Sequence, residues 1–297
     1  MHFLGRRIAS LIMLASPLVI LIPVSYLSPR VEDLAWTYAV WSVETAGPTF
    51  TKLAQWATTR ADLFPAEFLC RFSKLQDSTE GHAWRYTDEL LRQSLGDRYQ
   101  DIIDIDPNTK PIGSGCIAQV YKATLKQSTS LFPKGTELAV KAQHPRIREK
   151  VLVDFYILHK FASMLEKIPF LNLDYLSIQD SVSQFRSIMI PQLDMTCEAR
   201  NLTRFLRDFA NDESITFPQP VHELTTQHVL VEKFMHGEPI LHYLRPDYST
   251  VDRHAVAEKG LEMAMKMIFL NDFVHGDLHP GTCVTMGPPG LCSGSRL

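Results

Sequence analysis

Nowhere in this 297-residue chain do two cysteines stand in the C-x-x-C spacing of zinc and redox sites; the five, Cys70, Cys116, Cys197, Cys283 and Cys292, are scattered. Unpaired thiols of this kind read as small apolar side chains in a reducing compartment. Basic runs are missing too. With 30 Lys+Arg against 33 Asp+Glu the net charge is -3, and no stripe of cations offers the electrostatic footprint that a phosphate backbone requires. That argues against nucleic acid as a partner. No internal repeat appears, which excludes solenoid architectures. The length suits roughly two domains of ~150 residues.

Charge is absent from one long stretch. Ile8 to Leu27, "IASLIMLASPLVILIPVSYL", contains no Asp, Glu, Lys or Arg, and twenty residues at ~1.5 Å each would cover the ~30 Å hydrocarbon core of a bilayer. A membrane-spanning or embedded helix over 8-27 is the first reading of residues 1-29. A cleaved targeting segment, suggested by Arg6 and Arg7, and a buried soluble helix are the alternatives. Pro17 and Pro23 would each remove a backbone donor from such a helix.

Apolar residues then recur at helical spacing through Leu34, Tyr38 and Trp41, and again through Phe68, Phe72, Leu90 and Leu95, with Pro48 and Pro65 as breaks. Residues 30-105 therefore read as a helical extension. The period changes at "IAQVYKATL" and "TELAVKAQ", two β-rich runs joined by a polar connection carrying Pro133 and Gly135, which predicts a hairpin. Helical spacing returns in "RIREKVLVDFYILHKFASMLEKI", in one helix from Ser177 to Arg207, and from Ala255 to Leu270; "HVLVEKFMHGEPI" lies between the last two as a strand. Residues 282-297 are dense in Gly, Pro, Ser and Cys and read as a disordered tail.

"GSGCIAQV" follows the G-x-G-x-x-G-x-V pattern of a kinase phosphate loop through Gly113, Gly115, Ala118 and Val120, with Ser114 between the glycines. Small residues let backbone N–H groups approach the nucleotide phosphates. Lys141, in "LAVK" on the following strand, stands where a kinase lysine meets the α- and β-phosphates, and Glu198 on a later helix is available to hold it. "VLVEKF" predicts an adenine-binding connection, with backbone at Glu232 and Phe234 meeting the base and Val231 lining the pocket. Asp277 in "HGDLHPG" occupies the position of the base that takes the acceptor's hydroxyl proton. Each feature alone is commonplace; in this order they are not. His275 and His279 flank Asp277, yet they lie in turn chemistry rather than on one helix face, so no metal-ligand set is assigned.

These residues resemble the aarF-domain, or UbiB-type, atypical kinases. "TKLAQWATTRADLFPAEF" is similar to that family's K-x-G-Q element through Lys52 and Gln55, and to the R-x-D-L-x-P-x-E pattern through Arg60, Asp62, Leu63, Pro65 and Glu67. "GSGCIAQVYKA", "LAVKAQHP", "LDMTCEARN" and "HGDLHP" continue the likeness in family order, over residues 45 to 281. The resemblance implies an α+β, protein-kinase-like fold with a helical N-terminal extension, whose kinase-like domain occupies 106-281 with the N-lobe largely complete and the C-lobe truncated. It implies ATP and Mg2+ as cofactors, and Lys52 and Gln55 folded over the nucleotide pocket. It also implies a single-pass protein of the mitochondrial inner membrane that contacts inner-membrane lipid and coenzyme Q intermediates or biosynthetic proteins.

Departures from the family accompany the likeness. Ala54 replaces the glycine of K-x-G-Q, Gln192-Leu193-Asp194 stands where E-x-D is usual, Thr282 takes the place of the metal-binding asparagine, and no aspartate follows Asp277. The leading expectation is a UbiB-type kinase-like protein or ATPase supporting coenzyme Q production, inactive as this chain. The alternatives are a non-catalytic membrane pseudokinase or lipid-handling scaffold, and a small-molecule kinase, against which the extension argues.

Overall fold

The computed structural model describes residues 2–58, 61–62, 64–76, 81–167, 177–240, 253–276, 278, 283–285 and 292–294, with backbone alone at 2, 74, 76 and 292–294. In chain order the elements are helices α1 (His2–Ser25), α2 (Pro29–Ala46), α3 (Pro48–Thr58), α4 (Ala66–Phe72) and α5 (Trp84–Leu95), and strands β1 (Ile103–Asp104), β2 (Gly113–Ser114), β3 (Ala118–Leu125) and β4 (Glu137–Gln143). Helices α6 (Ile147–Leu165), α7 (Ile178–Met189) and α8 (Met195–Asp208) follow, then β5 (Ile215–Thr216), β6 (Val229–Lys233), β7 (Glu238–Pro239), α9 (Arg253–Phe269), β8 (Cys283–Thr285) and β9 (Cys292–Gly294). The chain divides into two compact units.

One unit comprises residues 1–80, 115–117 and 145–193 and is helical. Its α1 is long and apolar enough to cross a membrane, with a mean hydropathy of 2.3 over an 18-residue window within Phe3–Ser25. Pro17 cannot donate to Met13 O, and the Ser16 hydroxyl takes that place at 3.2 Å. The next carbonyl, Leu14 O, accepts from Tyr38 OH (3.2 Å) and Ser42 Oγ (3.4 Å) of α2, so α1 and α2 pack as an antiparallel pair. Gly47 ends α2 at φ +100°, a conformation costly for a residue with a Cβ, and Pro48 starts α3. Ala54, Phe72 and Leu75 form a core against Trp36, Val40 and Val43 of α2. A second core joins Ile147, Val151 and Phe155 of α6 to Phe185 and Met189 of α7, with Leu53, Trp56 and Ile117 packed on it.

Arg7 closes this unit. Its Nε and Nη2 donate to both carboxylate oxygens of Asp154 on α6, at 2.6 and 2.8 Å, and Nη2 also reaches Ala46 O at the end of α2. Asp154 is completely buried.

The other unit comprises residues 81–114, 118–144 and 194–297. Its main sheet is antiparallel, in the order β1-β3-β4-β6 with β2 on β3. One face carries Tyr121, Ala123, Leu138, Val140, Val229 and Val231, packed with Leu91 of α5 and with Tyr99, Ile103 and Leu224. The hairpin expected around Gly135 is present, with that glycine at φ +91°. The fold class is α+β and kinase-like, as the motifs imply.

Two expectations are corrected. The helix read from Ser177 to Arg207 is α7 and α8, broken by a 3-10 turn at Pro191–Leu193, because proline at 191 cannot continue the hydrogen-bond ladder. The tail read as disordered contains β8 and β9, which join β5 and β7 in a second sheet of order β5-β9-β8-β7; strands of three residues are too short for alternation to reveal.

Candidate functional site

Strand register builds one face of the main sheet around a lysine. Lys141 on β4 is directly opposite Val120 on β3 at one side and Leu230 on β6 at the other, and Ala139 is opposite Glu232. Opposed residues point the same way and neighbours alternate, so Val120, Ala139, Lys141, Leu230 and Glu232 share a face. Val231, expected to line this face, lies on the other one, opposite Val140 and inside the apolar core. Leu230 and Glu232 take the position that had been assigned to it. The entire β6 run from Val229 to Glu232 is buried, and a strand buried on both sides carries no alternation from which to choose a face.

Lys141 Nζ meets both carboxylate oxygens of Glu198, at 2.9 and 3.1 Å. The two residues are 57 apart in sequence, and α8 brings them together. Asp194 caps that helix, its Oδ1 accepting from Thr196 N at 3.0 Å and Thr196 Oγ1 at 2.6 Å. Met195 N donates to Gln227 O at 3.0 Å, anchoring the same turn beside the approach to β6. Glu232 completes a triad of ionisable groups. Burial above all, with the nearby Glu198 adding to it and Lys141 opposing it, raises its carboxyl to about 8, so Glu232 is predominantly protonated at neutral pH.

The phosphate-loop candidates form the β2–β3 hairpin, with Gly113 opposite Val120 and Ser114 opposite Gln119. Ser114 Oγ is buried without a hydrogen-bond partner among the described residues, and Gly113 opens onto free space. Gly115 belongs to the other unit together with Cys116 and Ile117. Ala118 starts β3 and is buried.

Behind the hairpin lies a network that sequence reasoning missed. Gln119 Nε2 donates to Tyr121 OH (2.6 Å) and His82 O (3.1 Å), while His82 N donates to Gln119 Oε1 (2.9 Å). A Cβ at Gly81 would stand 2.6 Å from that same Oε1, so glycine permits the close approach. His82 Nδ1 lies 2.7 Å from His144 Nδ1. Burial, reinforced by His144, lowers the His82 imidazole to about 4, so it is neutral at physiological pH. An unspaced His and Gln offer no signal that could have exposed this network.

The expected base-contacting backbone is only partly available. Phe234 N donates to Glu137 O at 3.0 Å, so its amide continues the sheet ladder rather than facing a ligand. Its ring lies 4.8 Å from the Lys122 ammonium. Lys52 and Gln55 are on α3 in the helical unit, where Gln55 Nε2 donates to Leu75 O at 2.9 Å. Asp277, with Arg60, Leu63, His279 and Thr282, lies outside the described residues. The segment leading to it rests on α8: Phe273 packs on Phe205 with ring centroids 4.7 Å apart, Arg204 lies over the Phe273 ring at 4.0 Å, and the His275 ring is 6.0 Å from Phe205.

An antiparallel sheet whose lysine is held by a glutamate from an adjacent helix defines the class: a protein-kinase-like fold. Residues 74–291 match the ABC1 atypical kinase-like domain, and the chain belongs to that family. It is 31% identical over 280 residues to the probable serine/threonine-protein kinase abkC of Dictyostelium discoideum, covering 94% of this chain and 39% of that protein. A mitochondrial ABC1 family protein of Saccharomyces cerevisiae is 32% identical over 292 residues, 90% of this chain and 44% of the relative. The probable protein kinase UbiB of Glaesserella parasuis is 28% identical over 242 residues, 81% and 43% of the two chains. This chain thus spans about two fifths of the curated relatives it matches. Among solved structures, Mycobacterium tuberculosis Rv3197 in complex with erythromycin aligns with a TM-score of 0.59 at 20% identity, over 86% of this chain and 57% of that one.

Proposed function

We propose that this chain is the nucleotide-binding part of a UbiB-type atypical kinase-like ATPase that supports coenzyme Q production in mitochondria. The observation that carries the nucleotide reading is the two-pronged, part-exposed Lys141–Glu198 pair on one face of the interior strand β4. The unpaired, buried Ser114 hydroxyl in the adjoining hairpin fits a group rich in acceptor oxygens. Bound ATP and Mg2+ would supply a transferable phosphoryl group and charge neutralisation. Gly113, Ser114 and Lys141 would hold the phosphates, Val120 and Leu230 would flank the base, and Glu198 would orient Lys141. Asp277 would receive the acceptor's proton.

Two further readings concern place and turnover. The mitochondrial names of fungal relatives and the apolar α1 support residence at the mitochondrial inner membrane, in contact with its lipid and with coenzyme Q intermediates or the proteins that make them. The sequence has threonine at 282, where the family's metal-binding asparagine stands, which supports nucleotide binding with weakened turnover, a pseudokinase-like state. A hydroxyl is a poorer ligand for a hard cation than an asparagine carbonyl.

The test is differential scanning fluorimetry of the purified chain with and without MgATP. A ligand that binds only the native state stabilises it by mass action, so Tm should rise for the wild type and not for Lys141→Ala. An equal rise in both would remove Lys141 from the site. Steady ATP hydrolysis far above that of Asp277→Asn would overturn the weakened-turnover reading.

A further inference from the structure

On the face that bears Lys141, the next row of side chains lies about 6.8 Å further along β4, two residues at ~3.4 Å each. Register makes that row Lys122 on β3, Ala139 on β4 and Glu232 on β6. The small Ala139 is thus flanked by two longer side chains. A nucleotide whose phosphates meet Lys141 has its base a ribose away, which puts the ring over Ala139 and its edge against one of these flanks. Lys122 is already engaged: its ammonium pairs with Glu137 at 2.6 Å and lies 4.8 Å from the Phe234 ring. Glu232 is 5% exposed, and among the described residues no hydrogen bond or ion pair engages its carboxyl.

Main-chain groups around Glu232 are committed elsewhere. Val231 O accepts from Val221 N at 2.7 Å, Lys233 N donates to Gln219 O at 2.9 Å, and Phe234 N donates to Glu137 O at 3.0 Å. The backbone here is bonded on both edges of the strand, which leaves the carboxyl to meet a ligand. A buried polar group without a partner costs free energy, and a ligand that supplies the partner relieves that cost.

The proton on Glu232 decides which partner fits. Burial, aided by Glu198 on α8 and opposed by Lys141 on β4, keeps the carboxyl protonated at neutral pH, while the charge of Lys122 on β3 is balanced by Glu137. A protonated carboxyl presents one donor and one acceptor side by side, as a glutamine amide does. Glutamine pairs with adenine through the 6-amino group and N7, whereas guanine offers two acceptors, O6 and N7, along the same edge.

We propose that Glu232 is a specificity-determining residue of the nucleotide site, its carbonyl oxygen accepting from the 6-amino group of adenine and its hydroxyl donating to N7. The proposal rests on the nucleotide reading above and assigns base selection to a side chain instead of the main chain.

The test measures, by isothermal titration calorimetry on the full 297-residue chain, the dissociation constants of the Mg2+ complexes of ATP, 7-deaza-ATP and GTP. The 7-deaza analogue keeps the amino group and lacks the N7 acceptor. The wild type should prefer ATP to either by roughly tenfold. Glu232→Gln should keep that preference, because the amide reproduces donor and acceptor; Glu232→Met, close in length and without either, should bind the three alike. Raising the pH through about 8 removes the donor proton, so the wild type's preference for ATP over 7-deaza-ATP should fade while that of Glu232→Gln holds. A preference that survives in Glu232→Met, or a wild type that binds all three equally, would overturn the assignment and leave nucleotide binding standing. If the wild type binds none of the three, both fall. Should the thermal midpoint show that Glu232→Met does not fold, the pH series decides: a wild-type preference indifferent to pH would overturn the proposal.

Discussion

Each unit contains an ion pair in which one cation grips both oxygens of one carboxylate, and the two pairs serve opposite purposes. Arg7–Asp154 joins residues 147 apart, and its carboxylate is wholly buried. Lys141–Glu198 leaves its partners 17% and 36% exposed. A guanidinium has fixed fork geometry, and although Arg7 is as exposed as Lys141, its carboxylate partner is wholly withdrawn from water, which commits the pair. The ammonium, with three donors on a flexible stem, can keep its carboxylate and still meet a second anion. The difference separates a latch from a ligand-ready contact. Charge alone does not make that distinction; burial and the choice of cation do.

The latch should be the costlier to break. Arg7→Ala strands a buried carboxylate and is expected to cost about 3–5 kcal/mol in denaturant unfolding. The double change Arg7→Met with Asp154→Leu should recover most of that loss, because it leaves no charge behind. Equal damage from both would mean that shape rather than charge dominates the joint.

Glu232 sharpens the contrast from the other side. Its carboxyl is raised from 4.5 to about 8 in the folded state, chiefly by burial. Between those values the folded chain holds a proton that the unfolded chain has released, so this group makes stability fall as pH rises from about 4.5 to about 8. Glu232→Gln should remove that slope, and the variant's Tm should overtake the wild type's progressively across the window. Parallel pH profiles would show that the carboxyl is solvated rather than buried.

Smaller effects follow. Asp194→Ala deletes the cap of α8 and should cost about 0.5–2 kcal/mol, with Asp194→Asn recovering most of it. Lys141→Ala should change stability least, by no more than about 1 kcal/mol, because the pair is partly solvated. It should nevertheless abolish the thermal response to MgATP. A large stability loss in Lys141→Ala would turn the ligand-ready contact into a second latch.

What the sequence disclosed tracks the range of the forces involved. The β3–β4 hairpin, Lys141 and the helix bearing Glu198 were legible because local period and turn chemistry specify them. The facing of β6 was not: Val229 to Glu232 are all buried, and only pairing with β4 puts Glu232 rather than Val231 beside the lysine. Pro191 could have split α7 from α8, but the apolar spacing on either side concealed it. The apolar run of α1 was plain, while its fastening to Asp154 was not, since nothing local to Arg7 marks a partner 147 residues away.

Helix α8 has a mechanical consequence. Its first turn is fixed by Asp194 and by Gln227 O, and it carries Glu198; its last turns bear Arg204 and Phe205, on which Phe273 and the approach to His275 rest. Fourteen residues of helix make a beam about 21 Å long, stiff enough that its two ends move as one. A ligand that shifts the Lys141–Glu198 pair changes the load at one end, and the strip from Phe273 to His275 receives that change at the other without touching the ligand.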